Sequence, residues 1–217
     1  MITVTALRWV PPTAHGLVKD LRVRWALEEA GLPYTVRLID SETQGDPAYL
    51  AEQPFGQVPV YEEPGLRLFE SGAIVQHIAG PCPALMPADT EGRARVSAWM
   101  FAALSSVEPF VQTFALINGL YAGEEWAKLR RVDAEAMARR RTEQVAAWLG
   151  GRDYLEQERF TAADLMMATV LNILRRTDMV DQAGLRPYLD RCQARPAYRK
   201  ALDGQLADFA AHAPQPA

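Results

Sequence analysis

In the stretch GQVPVYEEPGLRLFES, residues 56–71, two positions stand out for the chemistry they could serve. Pro59 lies between Val58 and Val60, in an alternation that otherwise reads as a buried strand. Proline has no N–H for a sheet ladder and belongs at edges, strand starts or bulges, so a backbone geometry kept for another purpose is expected here. Ser71 follows Glu70 and opens a short apolar run that ends at Gly80 and reads as a helix. Unpaired N–H groups and the positive end of the helix dipole make such a start a ready anion site. A third signal, FTAADLMMA at residues 160–168, is structural. Thr161 is a good N-cap, Asp164 three residues on can return a hydrogen bond to the cap N–H, and Phe160 can staple to Leu165.

Other chemistries lack their residues. Cys82 and Cys192 are the only cysteines, and His15, His77 and His212 fall in three distant segments. No disulfide framework or metal-ligand spacing is built from these. A dinucleotide fingerprint, a phosphate loop and a G-x-S-x-G elbow are absent. The net charge of −4 argues against binding a nucleic-acid backbone, and Arg139, Arg140 and Arg141 read as a solvated helix face. No run approaches the roughly 18 uninterrupted apolar residues of a membrane span, and the N-terminal MITVTALRW lacks the pattern of a signal peptide. A cytoplasmic protein without a membrane partner is expected.

The elements that would position these residues form two groups. ITVTALRWV reads as a strand, broken by Pro11 and Pro12, and apolar residues from Leu17 to Ala30 fall at helical spacing before a capping Gly31. PYTVRLID is a second strand, VPVYEE and LRLFE form a hairpin about Pro64-Gly65, and a short helix runs from Ser71 to about Gly80. This order predicts an α/β domain over 1–80 with a parallel pair first and a hairpin last. The proline-rich GPCPALMPAD lies in a linker, 81–91, and 92–217 reads as all helix. One long helix near 92–121 bends at Pro109. A second opens with Trp126, Leu129, Val132 and Ala136 on its apolar face and ends at Gly150-Gly151, and a third begins at Thr161.

Taken together, QPFGQVP, the Glu70-Ser71 pair, FTAADLMMA, ALEEAGLPY and RPAYRKAL resemble, in order and spacing, the glutathione transferase superfamily. The resemblance covers nearly the whole chain. It implies a thioredoxin-like N-terminal domain followed by an all-α C-terminal domain, with glutathione as cosubstrate. It also implies a cis bond before Pro59, with Val58 presenting its backbone groups to the cysteinyl part of glutathione. Glu70 and Ser71 are assigned to the γ-glutamyl end, and Gln57 to the glycyl end. Gln53 takes the place of a more usual asparagine.

The family usually places a tyrosine, serine or cysteine after the first strand to meet the glutathione sulfur. Here the matching positions fall among Leu17, Val18 and Lys19, none with a hydroxyl or thiol. Thr13, with His15 in reserve, is the candidate to fold back to the sulfur. The acceptor is expected in a pocket lined by Trp9 to His15 and by the first long helix, which offers Phe101, Phe110, Phe114 and Tyr121. Two functions follow. One is a homodimeric enzyme that ionises the glutathione thiol and directs it at an apolar electrophile or a disulfide. The other is a non-catalytic binding or regulatory scaffold on the same fold.

Overall fold

The computed structural model describes residues 1–156 and 158–214. Its contacts divide the chain into two units, residues 1–85 joined by the chain from Arg195 onward, and residues 86–194.

The first unit is built on a four-stranded sheet of order β2-β1-β3-β4. β1 (Ile2–Leu7) and β2 (Tyr34–Ile39) are parallel, in register from Ile2 with Tyr34 to Leu7 with Ile39. The helix between them, α1 (Asp20–Ala30), makes the crossover and ends at Gly31, whose φ of 66° suits a residue without a Cβ. After a one-turn helix, α2 (Pro47–Leu50), the strands β3 (Tyr61–Glu63) and β4 (Leu66–Leu68) form an antiparallel hairpin. β3 also runs antiparallel to β1. Pro59 therefore stands ahead of the strand rather than inside it, and the ladder loses no donor. The Val58-Pro59 bond is cis, and the Val60 carbonyl accepts from Thr5 N at 2.8 Å. α3 (Ser71–Ala79) packs on α1.

Residues Asp20 to Leu27 of α1 are all buried. A helix is hidden on every side only when neighbours cover more than its apolar stripe. β1 and α3 cover part of it, and α10 (Pro196–Ala211) covers the rest, with Trp25 and Tyr198 edge-on at 4.7 Å. The last helix thus joins the sheet-bearing unit, whereas the sequence grouped it with the helices of 92–217.

The second unit is helical. α4 (Thr90–Ala102) is capped by Asp89, whose carboxylate accepts from Gly92 N at 2.7 Å. A π-helical stretch, Ala103–Val107, joins it without a break to α5 (Glu108–Asn118). A proline ring collides with the carbonyl four residues earlier in a regular helix, and the widened turn just before Pro109 is where that collision is relieved. The joined helix, 90–118, has the length and apolar content to cross a membrane. Its apolar face is turned to protein instead. Val96, Met100, Ala103, Val107, Val111, Phe114 and Ile117 are buried, with α6 (Glu125–Leu149) and α7 (Ala162–Leu171) packed on the helix.

The buried face of α6 differs from the expected one. Trp126, Leu129 and Val132 are exposed, the last two by about three quarters. Ala127, Ala134, Ala138, Thr142, Val145 and Leu149 face inward at helical spacing. Small side chains allow close approach to α5, which is why bulk alone misled the reading. Gly150 closes α6 at φ 52° as expected. Every residue of α7 except Thr169 is buried, and two short helices, α8 (Met179–Gln182) and α9 (Arg186–Gln193), complete the unit.

Candidate functional site

The start of α3 carries the most distinctive geometry. Glu70 is the N-cap at φ 69° and ψ 108°, a left-handed conformation that a residue with a Cβ rarely adopts. Such a position costs on the order of 1 kcal/mol or more and persists where the surroundings fix it, often at a ligand site. The Glu70 side chain is exposed. Ser71 is the first helical residue rather than the cap, and only 5% of it is accessible. Its Oγ accepts a hydrogen bond from Arg22 Nη1 at 3.3 Å. Arg22 is itself buried, so a guanidinium lies beneath the first turn of α3. The positive charge and the unpaired helix N–H groups both favour an anion there.

Val58, ahead of the cis bond, is buried in a cluster with Ile39, Tyr49 and Val60, and Leu7 and Val18 pack on it. Val18 lies two residues before α1, and Arg22 lies in its first turn. The beginning of α1 therefore touches both the Val58 cluster and Ser71. Gln57 exposes its side chain, while its carbonyl accepts from Tyr49 Oη at 2.6 Å. Gln53 is buried and holds Phe55 N through Oε1 at 2.7 Å, fixing the chain that leads to Gly56 and Gln57.

The loop between β1 and α1 is a succession of tight turns. Thr13 sits exposed in a 3-10 turn, Pro12–Ala14, and Leu17 N bonds to Ala14 O at 3.0 Å. His15 Nε2 lies 3.1 Å from Val10 O, and the ring stacks on Phe209 of α10 at 5.1 Å. Its imidazole has local structural bonds, which makes Thr13 the more exposed of the two candidates. Beside this loop is an apolar cavity of about 670 Å3 lined by Trp9, Pro12, His15, Leu206, Phe209 and Ala210 among others. Its helical wall is α10. Of the aromatics expected from the first long helix, Phe114 is buried in the second unit and Phe110 lies under Arg141, whose guanidinium carbon is 4.5 Å from the ring centre.

Sequence reasoning missed Arg22 and the part taken by α10. Arg22 sits in an alternation, LRVRW, that reads equally well with the arginine on a solvated face.

A small sheet of two parallel strands and a hairpin, followed by a helical unit, defines the glutathione S-transferase fold. Residues 15–80 match the family of glutathione S-transferase N-terminal domains. A glutathione S-transferase of Hyoscyamus muticus is 29% identical, over 84% of this chain and 92% of its own. A glutathione transferase of Burkholderia graminis, crystallised with two glutathione molecules per subunit, superposes with a TM-score of 0.80 at 23% identity, over 93% of this chain and 87% of its own. The nitrogen regulation fragment of the yeast prion protein Ure2p gives 0.78 at 21%, over 94% and 96%. These matches show a glutathione S-transferase N-terminal domain over residues 15–80 and the glutathione transferase fold over nearly the whole chain.

Proposed function

We propose that the chain is a glutathione transferase, which binds glutathione, ionises its thiol and turns it on an apolar electrophile or a disulfide. The observation that carries this reading is the meeting of three features at the start of α1: the Val58-Pro59 backbone, Ser71 and the exposed loop holding Thr13. In this reading the γ-glutamyl carboxylate takes the first turn of α3, with Ser71 as donor and Arg22 as buried countercharge. Glu70 accepts from the adjacent ammonium, and Gln57 holds the glycyl end. Val58 offers main-chain groups to the cysteinyl portion. The glutathione bound to the Burkholderia relative supports the ligand.

A free thiol has a pKa of about 8.5, so only a few per cent is thiolate at neutral pH. Lowering it by about two units requires roughly 2.7 kcal/mol of preferential thiolate stabilisation. One hydroxyl, from Thr13, and main-chain N–H groups at the start of α1 supply that order of energy. His15 is the reserve. The cavity beside the loop, with Trp9, Leu206 and Phe209 in its wall, suits an apolar acceptor. The homodimer implied by the resemblance belongs to the same reading and is checked by sedimentation.

A regulatory scaffold is the second reading. It is favoured by Leu17, Val18 and Lys19, which offer no hydroxyl or thiol, and by the Ure2p fragment on the same fold. Calorimetric titration with glutathione, followed by a panel of electrophile and disulfide assays, separates the two. Binding with turnover supports the transferase, whereas binding without turnover, or absence of binding, removes the transferase and leaves the scaffold. Ultraviolet titration of the bound thiolate in Thr13→Ala and His15→Ala then identifies the activating group. The Thr13 variant is expected to shift the titration upward.

A further inference from the structure

Gln205 lies on α10, yet its amide is used up on the loop before α1. It is fully buried. Its Oε1 accepts from Gly16 N at 3.2 Å, and its Nε2 donates to Val18 O at 3.3 Å and to Asp20 Oδ1 at 2.8 Å. The other Asp20 oxygen accepts from Arg24 Nε at 2.8 Å, and Arg24 Nη2 returns to Asp208 of α10 at 2.6 Å. Two main-chain groups and one carboxylate within five residues are thus clasped by a side chain about 185 positions later in the sequence. One turn beyond Gln205, Phe209 stacks on His15, so the same face of α10 shapes the loop on both sides of Gly16. Gly16 has a φ of 72°, a left-handed bend that turns the chain into this grip.

We propose that Gln205 is a positioning residue for thiol activation, setting the aim of the loop that carries Thr13 and the main-chain N–H groups ahead of α1. This rests on the reading that the loop faces the glutathione sulfur. The physical argument is economy of burial. A fully buried amide is costly unless each of its groups is bonded, and an apolar residue would fill the same space without that demand. Here every bond of the amide goes to the loop or to the first residue of α1. The segment Leu17–Lys19 has no hydroxyl or thiol of its own, so what it can offer a thiolate depends on where its backbone points. Val18, held by Gln205, also packs on the Val58 cluster, which links α10 through the loop to the cis bond.

The test is the ultraviolet titration of glutathione thiolate bound to the full-length protein in wild type, Gln205→Met and Gln205→Asn, with glutathione affinity measured on the same samples. Methionine keeps the volume without the amide, and asparagine keeps the amide but is too short to reach all three partners. In wild type the bound thiol is expected to titrate below the roughly 8.5 of a free thiol. In both variants it is expected to move back by about one unit, a tenfold loss of thiolate preference, while affinity changes less than about threefold. Folded variants that titrate as wild type overturn the proposal. Loss of the cooperative fold in both variants also overturns it, because Gln205 then serves the fold alone. A wild-type protein that binds glutathione without lowering the thiol pKa overturns the activation reading and this proposal together, which distinguishes the two failures.

Discussion

At the scale of single residues, Glu70 and Ser71 make opposite contributions to stability and binding. Glu70 holds a left-handed φ that glycine adopts without penalty. Glu70→Gly is therefore expected to raise the urea midpoint, by the equivalent of about 0.5–1 kcal/mol, while weakening glutathione binding through the lost carboxylate. Equal falls in both would mean that the carboxylate serves the fold. Ser71→Ala removes a hydroxyl that sits beside a buried guanidinium, at the end of a helix dipole. A hydrogen bond to a charged group is worth roughly 1.5–3 kcal/mol, so affinity should drop about ten- to a hundredfold by calorimetry. An unchanged affinity would take Ser71 out of the site.

At the scale of elements, two helix starts are held by buried carboxylates. Asp164 is fully enclosed and closes the capping box of α7. Its Oδ2 accepts from Thr161 N at 2.9 Å and Oδ1 from Leu155 N at 2.9 Å, and Tyr188 Oη reaches Oδ1 at 3.1 Å. Burial pushes its carboxyl above the usual range, which these hydrogen bonds oppose. Thr161→Ala is expected to cost about 1 kcal/mol in the denaturation midpoint and to leave glutathione affinity unchanged. A midpoint that does not move would show that Asp164 alone holds the turn.

Asp20 opens α1 without access to water, and loss of hydration pushes its carboxyl up to about 6, against the opposing pull of Arg24 and Gln205. One guanidinium, that of Arg24, serves two carboxylates here, Asp20 and Asp208. Because the folded pKa lies above the unfolded value of 3.8, the folded chain holds the extra proton between about pH 4 and 6. Stability from this group is therefore present below about pH 4 and falls as pH rises to about 6. Denaturation of wild type and Asp20→Asn across pH 4–7 isolates the effect. The wild-type advantage should shrink by at most about 3 kcal/mol as pH rises. An advantage that grows with pH would mean that Arg24 keeps the carboxylate ionised throughout.

At the scale of the molecule, the sheet-bearing unit is completed by the far end of the chain. α1 is covered by α10, with Arg195 forked onto Glu29 at 2.6 and 2.7 Å and Lys200 Nζ 2.7 Å from Glu28. A fragment of residues 1–85 would uncover Trp25 and leave the Asp20–Arg24 pair without Gln205 and Asp208. It is expected to lack cooperative unfolding and near-ultraviolet dichroism. A fragment that unfolds cooperatively would show that α10 is dispensable.

The amino-acid sequence by itself determined the features whose causes lie within a few residues. These include the hairpin at Pro64-Gly65, the caps at Gly31 and Gly150, the box at Thr161 and Asp164, and the helix opening at Ser71. Turn and cap chemistry is local, so a short window contains all of it. Only the tertiary structure decided which partner each surface would meet. Ser71 and Arg22 are 49 residues apart, and Gln205 and Asp20 are 185 apart. Nothing in LRVRW says that its first arginine will be buried under another helix, and nothing in an amphipathic last helix says that it will cover the first. The outward turn of Trp126, Leu129 and Val132 has the same origin. Periodicity gives a helix its possible faces, but the closest approach of neighbouring backbones, here through Ala127, Ala134 and Ala138, chooses among them.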